Sequence, residues 1–191
     1  VVTVADTGQL DFETTTSHDI TVQVSDSAGN TYDEAMTINI ADGNDTPTDM
    51  SITASTVAEN AANGTVVGTV STTDADAGET FTYSLVNDQG GRFAINSSTG
   101  VVTVADGSRL DYETLASHDI TVRVTDSGSN TYDEVMSINL TGANETPTDL
   151  KLSGFEVNEG TANGTSVGTA AATDADAGDT ATYSLTNNAG G

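Results

Sequence analysis

The feature that most constrains the fold of this 191-residue chain is an internal repeat with a period of 100 residues. The sequence of residues 1–6 recurs at 101–106, that of residues 73–78 recurs at 173–178, and more than half of all aligned positions are identical. Copies this similar share one fold. Because the unit of a solenoid has only about 20 to 50 residues, a unit of this length predicts a domain with its own hydrophobic core.

Alternating apolar and polar residues, separated by turn-rich segments, predict seven short strands in one copy. The predicted strands cover residues 50–57, 65–72, 80–87, 91–95, 100–105, 118–125 and 132–140. Seven such strands in one repeat indicate an all-β fold, a seven-stranded Greek-key β-sandwich of immunoglobulin-like type. The inward-facing candidates are Phe81, Tyr83, Leu85, Phe93, Ile95, Val102, Val104, Ile120, Val122, Val124, Met136, Ile138 and Leu140.

Two turn-rich segments, residues 42–49 and 142–149, mark the predicted boundaries between copies. On these boundaries residues 49–148 are one complete domain, the central repeat. Residues 1–48 are the C-terminal half of a preceding copy, the N-terminal half-repeat, and residues 149–191 are the N-terminal half of a following copy, the C-terminal half-repeat. An odd number of antiparallel strands sends the two termini to opposite poles, so tandem copies are predicted to form a rod.

The two half-repeats leave a choice open. Three strands alone leave one sheet face and several edges unpaired. Either the chain is a window on a longer array, or the tail of one molecule pairs with the head of the next.

The charge of the chain excludes several classes of partner. It carries 29 Asp and Glu against 4 Lys and Arg, a formal net charge of −25, which disfavours nucleic acids and anionic membrane surfaces. The alternating strand pattern distinguishes it from an acidic disordered chain. No apolar run is long enough to predict a membrane-spanning segment. The chain has no cysteine, so neither disulfides nor thiolate metal sites are predicted.

The acidic residues are not scattered, because they cluster where the predicted poles of the domain lie. The clusters contain Glu59, Asp74, Asp76, Asp111, Glu113 and Asp126 in the central repeat and Asp42, Asp45 and Glu145 in the linkers, with the amides Asn44 and Asn144 beside them. Calcium takes about six to eight oxygen ligands from carboxylates and carbonyls, and loops at a pole can supply them. The distribution therefore indicates a calcium-binding protein.

Five short motifs give the chain a resemblance to the cadherin repeat family, and the resemblance covers the whole chain. The motifs are a D-x-N-D-x-P linker at 42–47, x-E-x at 58–60, D-x-D at 74–76, L-D-x-E at 110–113 and x-D-x-G at 125–128. The linker and the sequence Val-Ala-Glu-Asn at 57–60 look most like the bacterial cadherin repeats of very large surface and biofilm adhesins. The resemblance implies a cadherin-like sandwich with calcium bound between successive domains.

The resemblance also implies a set of ligands at each junction between copies. At the first junction these are Asp11, Glu13, Asp42, Asn44 and Asp45, with Asp74, Asp76 and Asp126. At the second they are Glu59, Asp111, Glu113, Asn144, Glu145, Asp174 and Asp176. The position of Asp42 is Gly142 in the second linker, so the second junction is expected to hold fewer ions or to hold them more weakly.

These features predict a calcium-rigidified extracellular spacer or adhesion segment of a bacterial surface protein, secreted or held at the cell surface. Its expected partners are calcium ions and neighbouring repeats of the same chain or of identical chains. One alternative is a self-assembling fibre subunit whose half-domains complement each other between molecules, and another is a carbohydrate-binding module. An enzyme is not expected. His18 and His118, which precede equivalent strands, are predicted to be structural.

Overall fold

The computed structural model describes residues 1–187, which form short β-strands and two 3-10 turns but no α-helix. The strands are β1 (Ser17–Ser25), β2 (Thr31–Asn39), β3 (Asp49–Ile52), β4 (Thr56–Ala58), β5 (Val66–Thr73), β6 (Thr82–Asn87), β7 (Phe93–Ile95), β8 (Val101–Val104), β9 (Ser117–Thr125), β10 (Thr131–Thr141), β11 (Thr148–Leu152) and β12 (Ala170–Thr173). The 3-10 turns are Thr7–Gln9 and Gly107–Arg109. No helix in this part of the chain could cross a membrane.

The central repeat is a β-sandwich of two four-stranded sheets, which confirms the predicted fold class. One sheet has the strand order β4-β10-β9-β6 and the other β3-β5-β8-β7. Every pairing is antiparallel except that of β4 with β10, which is parallel. The core lies between the sheets and takes Phe93 and Val102 from one and Ile120 from the other.

The first predicted strand, at 50–57, is split by the structure into β3 and β4, which belong to different sheets. The chain can cross between the sheets here because Gly68 of β5 lies directly beside the crossing. A Cβ atom at Gly68 would stand 2.2 Å from the carbonyl oxygen of Ala54. The sandwich therefore has eight strands, and the other six predicted strands lie within about two residues of their expected bounds.

The alternating pattern identified most of the core. Ten of the predicted inward residues are buried, from Tyr83 to Leu140, and the remaining three, Phe81, Leu85 and Ile95, pack against the core while partly exposed. The core contains five further residues that the alternating pattern did not predict, namely Met50, Val57, Val67, Val70 and Leu110. His118 is also buried, with its ring edge-on to Phe93 at a centroid distance of 5.9 Å. This position agrees with a structural role.

Each half-repeat is an open two-stranded sheet, in contrast to the closed sandwich between them. β1 pairs with β2 in the N-terminal half-repeat, and β11 pairs with β12 in the C-terminal half-repeat. No residue of 1–46 or 149–187 is buried. Ile38 is 45% exposed, whereas its counterpart Ile138 is completely buried.

Candidate functional site

The first junction is the place where the linker at 42–45 meets the loops after β5 and β9. The backbone amide of Asp45 donates a hydrogen bond of 2.7 Å to Asp76 Oδ2. Asn44 Nδ2 donates to Asp126 Oδ2 at 2.9 Å, and Asn130 Nδ2 donates to the Asp45 carbonyl at 3.1 Å. The linker is therefore held directly against the acidic loops of the central repeat.

A glycine makes this close contact possible. A Cβ atom at Gly128 would lie 2.3 Å from Asn44 Cγ, so any side chain there would displace the Asn44 side chain. Gly128 ends the x-D-x-G motif, and its role in the structure is to leave room for Asn44 beside Asp126. The motif thus supplies one carboxylate and the space for the linker amide to reach it.

Two groups of three carboxylates form at the first junction. Oxygens of Glu13, Asp45 and Asp76 lie within 4.8 Å of one another, and so do oxygens of Asp74, Glu79 and Asp126. The first group joins the N-terminal half-repeat, the linker and the central repeat, and the second belongs to the central repeat alone. Close like charges of this kind repel one another in the absence of a cation.

The local hydrogen bonds and charges shift the pKa values of these carboxyls in opposite directions. The pKa of Glu13 is raised overall. Its own backbone amide lowers the pKa, but desolvation and the charges of Asp42, Asp45 and Asp76 together raise it by more. Burial raises the pKa of Asp126, but hydrogen bonds from Asn44 and Asn130 lower it to below its ordinary value. The hydrogen bonds therefore favour the ionised form of Asp126, whereas the negative charges around Glu13 disfavour its ionised form.

The remaining predicted residues of the first junction line the same clefts. The Asp11 carboxylate accepts hydrogen bonds from the Thr14 hydroxyl at 2.8 Å and from the Thr14 amide at 3.0 Å, and these lower its pKa. Asp11 lines one cleft with Glu13, Asn44 and Asp45, and Asp42 lines an adjoining cleft with Asn44.

The second junction lies at the other end of the central repeat and is centred on Glu59, which is only 3% exposed. Its Oε2 accepts a hydrogen bond from the Tyr112 amide at 2.8 Å, and its Oε1 accepts one from the Ala143 amide at 2.7 Å. These two hydrogen bonds lower the pKa of Glu59. Glu59 is thus an ionised carboxylate buried between the x-E-x motif, the L-D-x-E motif and the second linker.

Three carboxylates from separate segments converge at this point. Oxygens of Glu59, Glu113 and Glu145 lie within 4.8 Å of one another. The Glu145 amide donates to Asp176 Oδ2 at 2.8 Å, so the C-terminal half-repeat also reaches the cluster. Burial, and then the charges of Glu59 and Asp176, raise the pKa values of both Glu113 and Glu145.

The other predicted residues of the second junction repeat the arrangement of the first. The Asp111 carboxylate accepts hydrogen bonds from Thr114, which lower its pKa, as Thr14 does for Asp11. Asn144 Nδ2 donates to the Glu145 carbonyl at 3.0 Å. Oxygens of the predicted Asp174 and Asp176 lie with one of Asp179 within 4.8 Å of one another.

Residues 53–141 match the model of the cadherin domain family. These residues are similar in sequence to cadherin domains. Cadherin domains are extracellular, non-enzymatic adhesion modules that generally bind calcium. The similarity therefore confirms the prediction that the chain is not an enzyme.

Most of the chain is also similar to tandem cadherin segments. Mouse Protocadherin-16 is 35% identical over 182 residues, which cover 88% of this chain and 5% of that protein. The solved structure of mouse Cadherin-23 EC22-24 is 30% identical, with a TM-score of 0.61 over 88% of this chain and 56% of that one. Protocadherin Gamma B7 extracellular cadherin domains 1-4 share the fold, with a TM-score of 0.66 at 23% identity. This chain spans only a small part of its curated relatives.

The motifs did not predict two acidic residues of these junctions. Glu79 joins Asp74 and Asp126, and Asp179 occupies the equivalent position beside Asp174. Glu79 also accepts hydrogen bonds from the amide and hydroxyl of Ser127. Both residues follow the D-x-D-x-G sequence by one position, and the recurrence of an acid there in both copies was the available signal.

The donor set of both junctions fits calcium. Asp74 Oδ2 and Glu145 Oε2 are buried oxygens that accept no hydrogen bond from residues 1–187. A buried carboxylate oxygen without a donor is costly unless a cation neutralises it. Carboxylate, amide and carbonyl oxygens on loops are the ligands that calcium prefers. The side chains therefore match a hard divalent ion in chemistry and in charge.

Proposed function

We propose that this chain is a calcium-binding segment of an extracellular adhesive array, in which ions at each junction fix the angle between successive repeats. The observation that carries the proposal is the convergence of Glu59, Glu113 and Glu145, with Asp176 bonded to the linker from the next repeat. An ion held there would have ligands from both sides of the junction, so it would connect the two repeats that the linker joins.

The residues that hold calcium on this proposal are those implied by the family resemblance, with Glu79 and Asp179 added. They are Asp11, Glu13, Asp42, Asn44, Asp45, Asp74, Asp76, Glu79 and Asp126 at the first junction, and Glu59, Asp111, Glu113, Asn144, Glu145, Asp174, Asp176 and Asp179 at the second. The ion supplies positive charge that offsets their mutual repulsion. The chain supplies the oxygen positions and the hydrogen bonds that orient them.

The setting we propose is a bacterial cell-surface protein, in which residues 49–148 are one repeat of a long spacer. The support for a bacterial adhesin is the resemblance of the linker and of Val-Ala-Glu-Asn at 57–60 to bacterial cadherin repeats. The support for these repeat boundaries is the pair of linkers bonded to Asp76 and Asp176.

Calorimetric titration with calcium tests the proposal at each junction separately. Asp76→Asn is expected to weaken binding at the first junction and Asp176→Asn at the second, each by about tenfold or more, because one charged ligand is lost. Affinities in the range of about 10⁻⁴ to 10⁻³ M are typical of extracellular modules. Glu156→Gln is the matched control, since Glu156 is exposed and belongs to none of the acidic clusters formed by residues 1–187.

The same proteins should be compared by small-angle scattering in calcium and in chelator. Removal of calcium should broaden the distribution of angles between repeats, because repulsion among the carboxylates is then unopposed. Identical titrations for all variants, or identical scattering in both buffers, would refute the proposal.

A second candidate is a fibre subunit whose half-repeats complement each other between molecules. The observation that favours it is the exposure, in both half-repeats, of residues whose counterparts form the core of the central repeat. The carbohydrate-binding module stays a prediction. Glycan binding that survives Asp74→Ala and Asp76→Ala would support it.

A further inference from the structure

We propose that Arg92 and Arg109, on the surface of the central repeat, form a binding site for a carboxylate group carried by an otherwise uncharged molecule. Arg92 immediately precedes β7, and Arg109 ends the second 3-10 turn. The inference goes beyond the proposed calcium function and does not depend on it, because neither arginine is among the residues that we propose to hold calcium.

The two arginines lack an acidic partner in a strongly acidic chain. The chain has 4 Lys and Arg and 29 Asp and Glu. Arg123 and Lys151 each form an ion pair with an aspartate. No carboxylate of residues 1–187 lies within 4.0 Å of a guanidinium nitrogen of Arg92 or Arg109. The one pair of basic side chains that could accept an acidic group from another molecule is therefore at this place.

The acidic residues that are near these arginines in sequence are engaged in their own turns. Asp88, Asp106 and Asp111 each accept a hydrogen bond from a residue two or three positions further along the chain. The guanidinium charges are thus not compensated at short range. A carboxylate from solution can form charge-assisted hydrogen bonds with them.

Gly90 lies next to both guanidinium groups. Arg92 Nη1 donates to the Gln89 carbonyl at 2.5 Å, and Arg109 Nη1 donates to the Gly90 carbonyl. A Cβ atom at Gly90 would lie 3.5 Å from Arg109 Nη2 and 3.7 Å from Arg92 Nη1, so these two nitrogens are at most 7.2 Å apart, the sum of the two distances. A carboxylate between them can accept a hydrogen bond of about 2.7–2.9 Å from each arginine.

Both guanidinium groups keep hydrogen-bond donors for a ligand. An arginine side chain has five N–H donors. Arg92 uses Nη1 and Nε, the latter donating to the Arg109 carbonyl at 3.0 Å, and Arg109 uses Nη1 alone. Within the described part of the chain neither Nη2 donates a hydrogen bond. Arg92 is half-buried and Arg109 is exposed, so a ligand can reach these donors.

The loop that carries the site has an unusual backbone conformation. Gln89, Gly90 and Gly91 have φ angles of 58°, 68° and 84°. The left-handed region is uncommon for a residue such as Gln89, and it is stabilised here because the Gln89 amide donates to Asn87 Oδ1 at 3.0 Å and its side chain donates to the Asp119 carbonyl. Backbone in this region is concentrated at ligand-binding sites.

The position of Arg92 deprives the core of a hydrogen bond. In the N-terminal half-repeat His18 Nε2 lies 2.9 Å from the Gln9 carbonyl oxygen. In the central repeat the equivalent carbonyl, that of Arg109, accepts from Arg92 instead, and both ring nitrogens of His118 are buried without a hydrogen-bond partner among the described residues. A buried polar group without a partner lowers stability, and departures of this kind are typical of functional sites.

The surrounding charge determines the kind of ligand that fits. The central repeat has fourteen acidic residues and three arginines. A polyanion that approaches the site is repelled by the acidic surface along its length. A ligand with a single carboxylate contacts both arginines without that repulsion, and a planar carboxylate matches the planar guanidinium group.

Titration of the isotope-labelled chain with glucuronate, followed by NMR spectroscopy, tests the inference. The chain has three arginines and therefore three side-chain Nε–H signals. Those of Arg92 and Arg109 should shift, and that of Arg123 should not. Two charge-assisted hydrogen bonds to a small ligand predict a Kd on the order of 1 mM. The titration should be made in about 10 mM salt, where screening is weak, and the shifts should be the same in calcium and in chelator.

Two substitutions that each remove one positive charge provide a matched pair. Arg109→Gln should weaken glucuronate binding by at least about tenfold, because it removes one of the two charged donors. Arg123→Gln should leave binding unchanged. Arg109→Lys keeps the charge but not the planar fork, so its affinity should lie between those of the unchanged chain and Arg109→Gln. Arg109 is exposed, so the melting temperature should stay close to that of the unchanged chain in both variants.

Three further ligands determine what the site recognises. Glucose, which has no charge, should cause no shift. Equal affinities for glucuronate and N-acetylglycine would support recognition of the carboxylate alone, and a preference for one of them would assign the carboxylate to a saccharide or to a peptide. Polyglutamate at the same concentration of carboxylate should bind more weakly.

The inference would be overturned if neither glucuronate nor N-acetylglycine shifted the Arg92 and Arg109 signals, if Arg109→Gln and Arg123→Gln had equal effects, or if polyglutamate bound more tightly than the small ligands. Calcium titrations would still test the proposed function separately, because the variants of this site leave every proposed calcium ligand in place.

Discussion

The central repeat and the two half-repeats carry nearly the same residues in different surroundings. Ile138 lies in a closed core while Ile38, at the same position of the period, is in contact with solvent. Full burial of one such side chain stabilises a fold by about 1.5–3 kcal/mol. The difference shows that the apolar pattern produces a core only where both halves of a repeat meet.

The largest expected effect is the contrast between Ile138→Ala and Ile38→Ala. Ile138→Ala should lower the free energy of unfolding of the central repeat by about 2–5 kcal/mol, because it leaves a cavity in a packed core. Ile38→Ala should change it by less than about 0.5 kcal/mol, as expected for an exposed position. Thermal melting followed by circular dichroism measures both. Equal losses would mean that the half-repeat is as well packed as the central repeat.

A smaller effect on stability is expected when the pH is lowered, and it should come from His118 and not from His18. Burial, and then the positive charge of Arg92, lower the pKa of His118 below its ordinary value of 6.5. The unfolded state therefore binds more protons in mildly acidic solution, and stability that is complete above about pH 6.5 declines as the pH falls towards the folded pKa. Melting temperatures between pH 7 and pH 5 measure this decline.

The corresponding variants separate the contribution of His118 from that of other groups. His118→Leu should make the melting temperature less dependent on pH in this range. His18→Leu is the control, because His18 is only partly buried and its Nε2 lies 2.9 Å from the Gln9 carbonyl oxygen. A pH dependence unchanged by His118→Leu would assign the effect to carboxylates instead.

The smallest effect is expected on the outer face, where the copies differ in one ion pair. Arg123 forms a bidentate ion pair with Asp133, in which Nε and Nη2 each lie 2.7 Å from a carboxylate oxygen. In the first copy Gln23 donates to Asp33 at the same distance. Arg123→Gln should leave the melting temperature unchanged within error, since exposed ion pairs contribute little. A clear drop in the melting temperature would show that the ion pair on the outer face also contributes to the difference in stability between the central repeat and the half-repeats.

The sequence predicted the sandwich well because alternation reports directly which side chains face inward. The residues of β9 alternate without interruption, and Ile120, Val122 and Val124 are all buried. It did not predict the division of the first strand, because Thr53, Ala54 and Ser55 carry no strong turn signal. The crossing depends on the close approach of Gly68, a contact between segments that a linear pattern does not contain.

The acidic junctions were predicted as groups of residues, but their internal arrangement was not. Spacing alone could not show that Glu59 is buried under the Tyr112 and Ala143 amides. Nor could it separate Asp74 and Asp76 into different carboxylate groups, because two side chains of one loop can point in different directions. Glu79 was missed for the same reason, since it approaches Asp126 only after the chain has folded.

The parallel pairing of β4 with β10 determines how the central repeat bears a mechanical load. The two strands run in the same direction, and tension on the ends of the repeat pulls them in opposite directions. The aligned pairs Thr56–Asn139, Val57–Leu140 and Ala58–Thr141 are then sheared together and cannot open one at a time as in a zipper. A pulling force must break all three pairs at once, so the pairing of β4 with β10 resists unfolding of the repeat under tension.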